Sequence, residues 1–181
     1  MTKDKQQISC ELLLARCRLD EPAAWEQLVR EWEPKLLYFV RRLVDDDSEA
    51  LDVLQQTWLK VLRNIRALKD AAALAPWLYR VARNAALNHR RVGAAYRAAI
   101  AEECNHRQEA AEDQTIACDD AEQVHYGLSR LSLPQREILT LYFLEGWDFE
   151  KIAEVLGVPR GTVKSRMFHA RDALRKILSK D

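Results

Sequence analysis

Residues 149 to 171, FEKIAEVLGVPRGTVKSRMFHAR, leave few choices of fold. Ile152, Val155 and Leu156 recur at helical spacing, so a short helix here buries one face. Ala153 is small where a partner helix must come close. Gly157 ends that helix, because glycine reaches positive φ without steric cost. Pro159 stands where a second helix starts, and a fixed φ of roughly −65° suits a first turn. In the second helix Val163, Met167, Ala170 and Leu174 are expected to face inward. Arg160, Thr162, Lys164, Ser165, Arg166 and His169 then project outward. Two short helices, a tight turn and a cationic, donor-rich outer face describe a helix-turn-helix that can lie in a major groove. The competing reading is a helical hairpin whose charges meet only water. The small-residue pattern at Ala153, Gly157 and Val163 is more demanding than charge alone.

The charge balance sharpens this. Basic and acidic residues number 28 each, so the net charge is zero, whereas many DNA-binding proteins are basic overall. The charge is segregated instead. Arg160, Lys164, Arg166, Arg171, Arg175, Lys176 and Lys180 face one acid, Asp172, in the last stretch. Between Glu102 and Glu122 acids outnumber the single Arg107. Local field governs phosphate contact, so a neutral chain can still hold DNA at its cationic blocks. A tight nonspecific coat on DNA is not expected.

Glycine and proline are scarce, at five each, and strand-like alternation is absent. The reading is all-α. Residues 1 to 9 are expected to be a polar tail, followed by a short helix over 10 to 18. Asp20, Glu21 and Pro22 start a longer helix, which Pro34 should kink or restart. Asp45, Asp46 and Asp47 end it, and Ser48 is the expected N-cap of the next helix. Leu51, Leu54, Trp58, Val61, Leu62 and Ile65 are its expected buried stripe. An alanine-rich loop spans about 66 to 75, and Pro76 opens another helix.

Residues 98 to 119 carry few large apolar side chains and a strong acidic excess, the composition of a flexible linker. Apolar patterning resumes from about residue 120, and Pro134 opens a helix ending near Gly146. The expectation is two small helical domains on an acidic tether, the C-terminal one a helix-turn-helix.

Cys10, Cys17, Cys104 and Cys118 form no CxxC pair and no secretory segment precedes them, so no disulfide is expected. Cys104, His106 and Cys118 fit no standard zinc spacing, and neither a metal nor a cofactor is expected. No apolar run is long enough to insert in a membrane, and a cytoplasmic location is expected. Paired catalytic carboxylates, a Ser/His/Asp set and a glycine-rich phosphate loop are all missing, so the chain is not read as an enzyme.

The helix from Pro76 carries a second constellation. Trp77, Tyr79, Arg80, Arg83, Asn84, Asn88, His89, Arg90 and Arg91 crowd aromatics, amides and cations onto one element. Unstacked bases bind to rings while cations hold phosphates, and asparagine can read an exposed base edge. Leu78, Val81, Ala82, Ala85 and Leu87 can supply a core face. Taken alone, the helix is equally an amphipathic core element with solvated arginines.

Together the blocks are more specific. DVLQQTWLKVLRNI and WLYRVARNAALNHRR, then a linker, then LSLPQREILTLYFLEGWDFEKIAEVLGVPRGTVKSRMFHARDALRKIL, resemble the extracytoplasmic-function (ECF) group of bacterial RNA polymerase sigma factors. The resemblance covers about 20 to 97 and 121 to 178. It implies sigma domain two over 1–97, a linker over 98–120 and sigma domain four over 121–181. It further implies binding to core RNA polymerase through Asp52, Gln55, Gln56 and Leu59. Opening of the −10 promoter element would fall to Leu68, Lys69 and Asp70 in the loop and to Arg80, Arg83, Asn84 and Asn88 in the helix. Extruding bases costs a few kcal/mol, which those contacts must offset. The −35 element would be read as duplex by Arg160, Thr162, Lys164, Ser165, Arg166 and His169, with Arg136 touching a phosphate. Promoter DNA, core polymerase and an anti-sigma factor or other antagonist are the implied partners.

This chain departs from the group in places. His169 stands where the group often has arginine, and Gln56 replaces a usual glutamate. The loop over 66 to 75 offers few groups able to read a base. Two other functions fit part of the pattern. A one-component helix-turn-helix regulator would bind a second copy of itself rather than polymerase, and would need a dimer seam and a ligand cavity. A sigma-like adaptor would bind polymerase without opening promoters.

Overall fold

The computed structural model describes residues 2–44, 46–103 and 120–179. Those residues form helices and turns, with no strand among them. The N-terminal half is α1 (Thr2–Arg18), α2 (Pro22–Arg41), α3 (Asp47–Asn64), two short 3-10 turns (Ile65–Ala67 and Ala71–Ala73) and α4 (Leu74–Glu103). The C-terminal half is α5 (Asp120–Ser129), α6 (Leu133–Leu144), α7 (Phe149–Leu156) and α8 (Arg160–Leu178).

Several local expectations need correction. The supposed polar tail is helical from Thr2, since nothing in TKDKQQIS breaks a helix that Leu13, Leu14 and Cys17 anchor by burial. It stops where Asp20 turns to positive φ. Pro34 does not divide α2. It removes one backbone donor, but Leu28, Trp32, Leu36, Phe39 and Val40 are buried on both sides of it and carry the helix through. Asp46, not Ser48, caps α3, its carboxylate accepting from the Ser48 N–H at 2.9 Å. Those hydrogen bonds hold the Asp46 carboxyl below its ordinary range.

The buried stripe of α3 is also shifted. Ala50, Val53, Leu54, Thr57 and Val61 face inward, while Leu51 and Leu62 face solvent. Thr57 tolerates burial because its hydroxyl donates to the Val53 carbonyl at 2.7 Å. On α4 Leu74, Pro76, Leu78, Tyr79, Ala82, Ala85 and Ala86 are buried, with Val81 and Leu87 only partly covered. α4 runs on to Glu103, so the stretch expected as linker begins as helix; residues 104–119, with Cys104, His106 and Cys118, lie outside the described residues.

In the C-terminal half, Ser132 and Gln135 form a capping box at the start of α6. Asp148 caps α7 by accepting from the Lys151 N–H at 2.9 Å. Gly157 adopts φ +66° and closes α7. Pro159 sits one residue before α8, at its N-cap, with the extended ψ that turns the chain into the second helix. Gly127 brings α5 close to α8: a Cβ there would meet a Leu174 methyl at 2.8 Å.

The two halves share one continuous cluster of buried apolar residues. Tyr79 on α4 joins them, edge-on to Phe39 at 5.0 Å and to Trp147 at 4.9 Å. α4 packs against α7 as well as against α2 and α3.

Candidate nucleic-acid interface

Three surfaces carry the residues singled out by sequence. The first is the outer face of α3. Asp52, Gln55, Gln56 and Leu59 are all exposed, and so are Leu51 and Leu62. Leu51, Gln55, Leu59 and Leu62 recur every three or four residues, hence on one face. Leu59 is 53% exposed, and the leucines of this face lie outside the core. Leu51 and Leu62 were missed as surface residues because burial and docking demand the same residue type. Only the position of the core distinguishes them.

The second surface lies where α3, the loop and α4 meet. An open groove of about 460 Å³ is lined by Lys60, Asn64, Ala67, Leu68, Trp77, Val81 and Asn84. Leu68 and Asn84 were expected here, and Trp77 supplies the aromatic wall. Lys60 and Asn64 are additions; their helix was read for its apolar stripe, and their polar character gave no separate signal. Lys69 is exposed, while the Asp70 carboxylate caps the second 3-10 turn by accepting from Ala72 N–H at 2.8 Å. Asn88 accepts a hydrogen bond from Arg91 at 3.0 Å. Arg90 is tied to the Leu43 carbonyl at 3.1 Å and so secures α4 to the end of α2.

Three members of α4 do not face that groove. Arg83 makes a two-toothed ion pair with Glu137 of α6, at 2.8 and 3.3 Å. Glu137 is 1% exposed and Arg83 17%. Burial raises the Glu137 carboxyl above its ordinary range, against the opposing pull of Arg83 and Arg166. Arg80 donates to the Glu154 carbonyl at 2.7 Å and pairs with its carboxylate at 3.1 Å. Tyr79, grouped by sequence with the base-stacking aromatics, is buried, and its hydroxyl donates to Glu145. Burial and that neighbouring carboxylate push the phenol well above its ordinary range.

The third surface is α8. Val163, Met167 and Ala170 are buried, and Leu174 is partly covered. The helix therefore presents Arg160, Lys164, Ser165 and His169 to solvent, with Thr162 and Arg166 half-buried beside them. Arg160 pairs with Glu150 at 2.9 Å, both side chains being about two-thirds exposed. Arg136 is half-buried on α6, the helix that packs against α8. Phe168 was missed: it stands one turn after Lys164 and is 71% exposed. Its signal was an apolar residue out of phase with Val163, Met167 and Ala170. Among the described residues no cluster of His, Cys, Asp and Glu could hold a metal, and no helix is long and apolar enough to cross a membrane.

The fold and these surfaces define an all-helical protein with a helix-turn-helix of DNA-binding type and a second helical unit carrying an aromatic, amide-lined groove. Residues 28–95 match the family model for sigma-70 region 2, and residues 121–174 that for sigma-70 region 4. The chain is 34% identical to the RNA polymerase sigma-H factor of Pseudomonas aeruginosa, the match covering 92% of each. It is 32% identical to the ECF RNA polymerase sigma factor SigL of Mycobacterium tuberculosis, over 87% of this chain and 90% of that one. Its fold matches the sigma factor RpoE solved in complex with the anti-sigma factor NepR from Bartonella quintana: TM-score 0.70, 25% identity, 87% of this chain and 98% of the other. It also matches the fold of CnrH, solved with the cytosolic domain of CnrY, at TM-score 0.67 and 22% identity over 94% and 97%. The chain belongs to the ECF RNA polymerase sigma factors, alternative sigma factors that direct transcription initiation.

Proposed function

We propose that the three surfaces divide the work of initiation, with domain two over 1–97, a linker over 98–120 and domain four over 121–181. Asp52, Gln55, Gln56 and Leu59 hold core RNA polymerase. Leu51 and Leu62 extend that face. The observation that carries this assignment is a row of exposed leucines on a helix whose core is already filled by Ala50, Val53, Leu54 and Val61.

The groove between the loop and α4 receives a base extruded from the −10 element. Trp77 offers a ring to stack on, Asn84 a donor and acceptor for a base edge, and Leu68 an apolar lip. Lys69 and Asn88 flank it, Arg80 and Arg83 lie on another face of α4, all four hold the strand, and Asp70 shapes the loop by capping it. α8 reads the −35 duplex through Lys164, Ser165 and His169, with Arg160, Thr162 and Arg166 beside them and Arg136 on a phosphate. Histidine at 169 holds phosphate more weakly than arginine would.

In this reading the protein works in the cytoplasm, acts without a cofactor and has no catalytic site of its own. Its partners are core polymerase, promoter DNA and an antagonist. A similar sigma factor was solved with an anti-sigma factor bound, which supports the last of these.

The test is Asn84→Ala in reconstituted holoenzyme. Permanganate footprinting should show loss of −10 melting while affinity for core polymerase stays unchanged. Equal loss in both assays would make Asn84 a structural residue and remove the groove from the reading.

A further inference from the structure

The groove where α3, the loop and α4 meet has two polar side chains besides Asn84. Lys60 and Asn64 line it from the last turn of α3, facing Leu68 and Trp77 across the same opening. One turn apart, they project from one face of the helix. Asn64 is the final residue of α3 and is exposed. Its amide is nevertheless held, because Nδ2 donates to the Lys60 carbonyl at 2.8 Å. Only the nitrogen end of an amide can donate to a carbonyl, so this bond fixes which way round the group sits. Oδ1 is thereby turned away from that carbonyl and serves as an acceptor. Lys60 supplies donors only.

We propose that Asn64 and Lys60 set the identity of the base this groove takes, selecting cytosine or adenine over thymine or guanine at one position of the −10 element. The proposal rests on the assignment of the groove to an extruded −10 base. Such a base is read along its Watson–Crick edge. On cytosine and adenine that edge has an amine hydrogen beside an unprotonated ring nitrogen. On thymine and guanine it has a carbonyl oxygen beside a ring N–H. Oδ1 of Asn64 accepts the amine hydrogen, the Lys60 ammonium donates to the ring nitrogen, and Trp77 carries the stack.

Thymine or guanine would reverse both contacts. Two oxygens would face each other, and the ammonium would meet an N–H. Asn64 can turn its amide over to suit them only by giving up its bond to the Lys60 carbonyl. The end of α3 adds to the bias. A helix C-terminus carries partial negative charge, which favours a hydrogen at that place over an oxygen.

The experiment uses the full-length chain in reconstituted holoenzyme. Its ligand is a single-stranded DNA spanning the −10 element of a transcribed promoter, with each of the four bases in turn at every position. A single strand removes differences in pairing strength. At one position cytosine or adenine should bind at least about tenfold tighter than thymine or guanine. Asn64→Ala should remove that preference and leave the other positions unchanged. Asn64→Asp should retain it, since a carboxylate has only acceptors. Lys60→Met should weaken it at the same position. Replacing the cytosine by 2-pyrimidinone, or the adenine by purine, deletes the amine; the wild type should lose affinity and Asn64→Ala should not.

A preference unchanged in Asn64→Ala, or a wild-type preference for thymine or guanine, would overturn the proposal. Equal loss for all four bases would reduce Asn64 to a contact at the helix end and also overturn it. Asn84→Ala on the same panel separates the causes. If it alters binding where Asn64→Ala does not, the groove keeps its base and only the role of Asn64 falls. If neither variant alters any position, the groove takes no base.

Discussion

The two helices assigned to DNA, α4 and α8, carry similar residues in opposite states. On α4, Arg80 and Arg83 are held by carboxylates from the other half of the chain. On α8, Lys164, Ser165 and His169 stand in solvent. A cation on a helix is therefore not by itself a measure of readiness to bind. In the helix-turn-helix, Gly157 and Pro159 fix the turn and Val163 and Met167 fix the roll of α8. The α4 helix has a filled core face and, at Arg80 and Arg83, a second protein surface against it.

The largest expected effect comes from cutting the buried side of this contrast. Arg83→Ala leaves the Glu137 carboxylate buried without its partner, which should cost the packing of the two halves about 3–5 kcal/mol. Denaturant unfolding together with solution scattering would measure it. Loss of less than about 0.5 kcal/mol, the usual scale for a surface site, would show that the pair is not buried in solution.

Next is the exposed side. Lys164→Ala should leave unfolding unchanged and weaken −35 binding by about 1–3 kcal/mol. Transcription from single-base −35 variants at two salt concentrations would separate base reading, which relaxes one position, from phosphate contact, which lowers the salt slope. Arg166→Ala is expected to behave as a phosphate contact and Lys164→Ala to mix both. Gly157→Ala tests whether the turn presets α8. A left-handed alanine costs roughly 1–2 kcal/mol, so thermal unfolding should move by that amount. The smallest effect is expected from Arg80→Ala, whose half-exposed pair with Glu154 contributes no more than about 1 kcal/mol to the packing of α4 on α7. A loss as large as that of Arg83 would mean that both pairs are shielded from water.

The fold was legible wherever a local signal was unambiguous. Gly157, Pro159 and the 3.6-residue recurrence of Ile152, Val155 and Leu156 define the helix-turn-helix, and each constrains the backbone within a few residues. The surface on α8 was legible for the same reason: once Val163 points inward, its neighbours point out. α3 was harder. Leu51, Leu54 and Leu62 are equivalent in sequence, and only the packing of α2 and α4 decides that Leu54 is covered and the others are not. Tyr79 failed for a related reason. A tyrosine beside arginines fits a base platform, and its burial depends on Trp147, 68 positions away in the chain. The pairing of Arg83 with Glu137 was invisible because nothing local marks a glutamate for burial; it follows from the meeting of the two halves. Pro34 was overweighted, since its penalty is local and the apolar burial around it is larger.

The most direct test of the whole account is selection of transcribed promoters from a random DNA library by the protein reconstituted with core RNA polymerase. The account predicts two enriched blocks at −35 and −10. Lys164→Ala should alter only the upstream block, and Asn84→Ala only the downstream one. Absence of paired blocks, or a change in the same block by both variants, would contradict it.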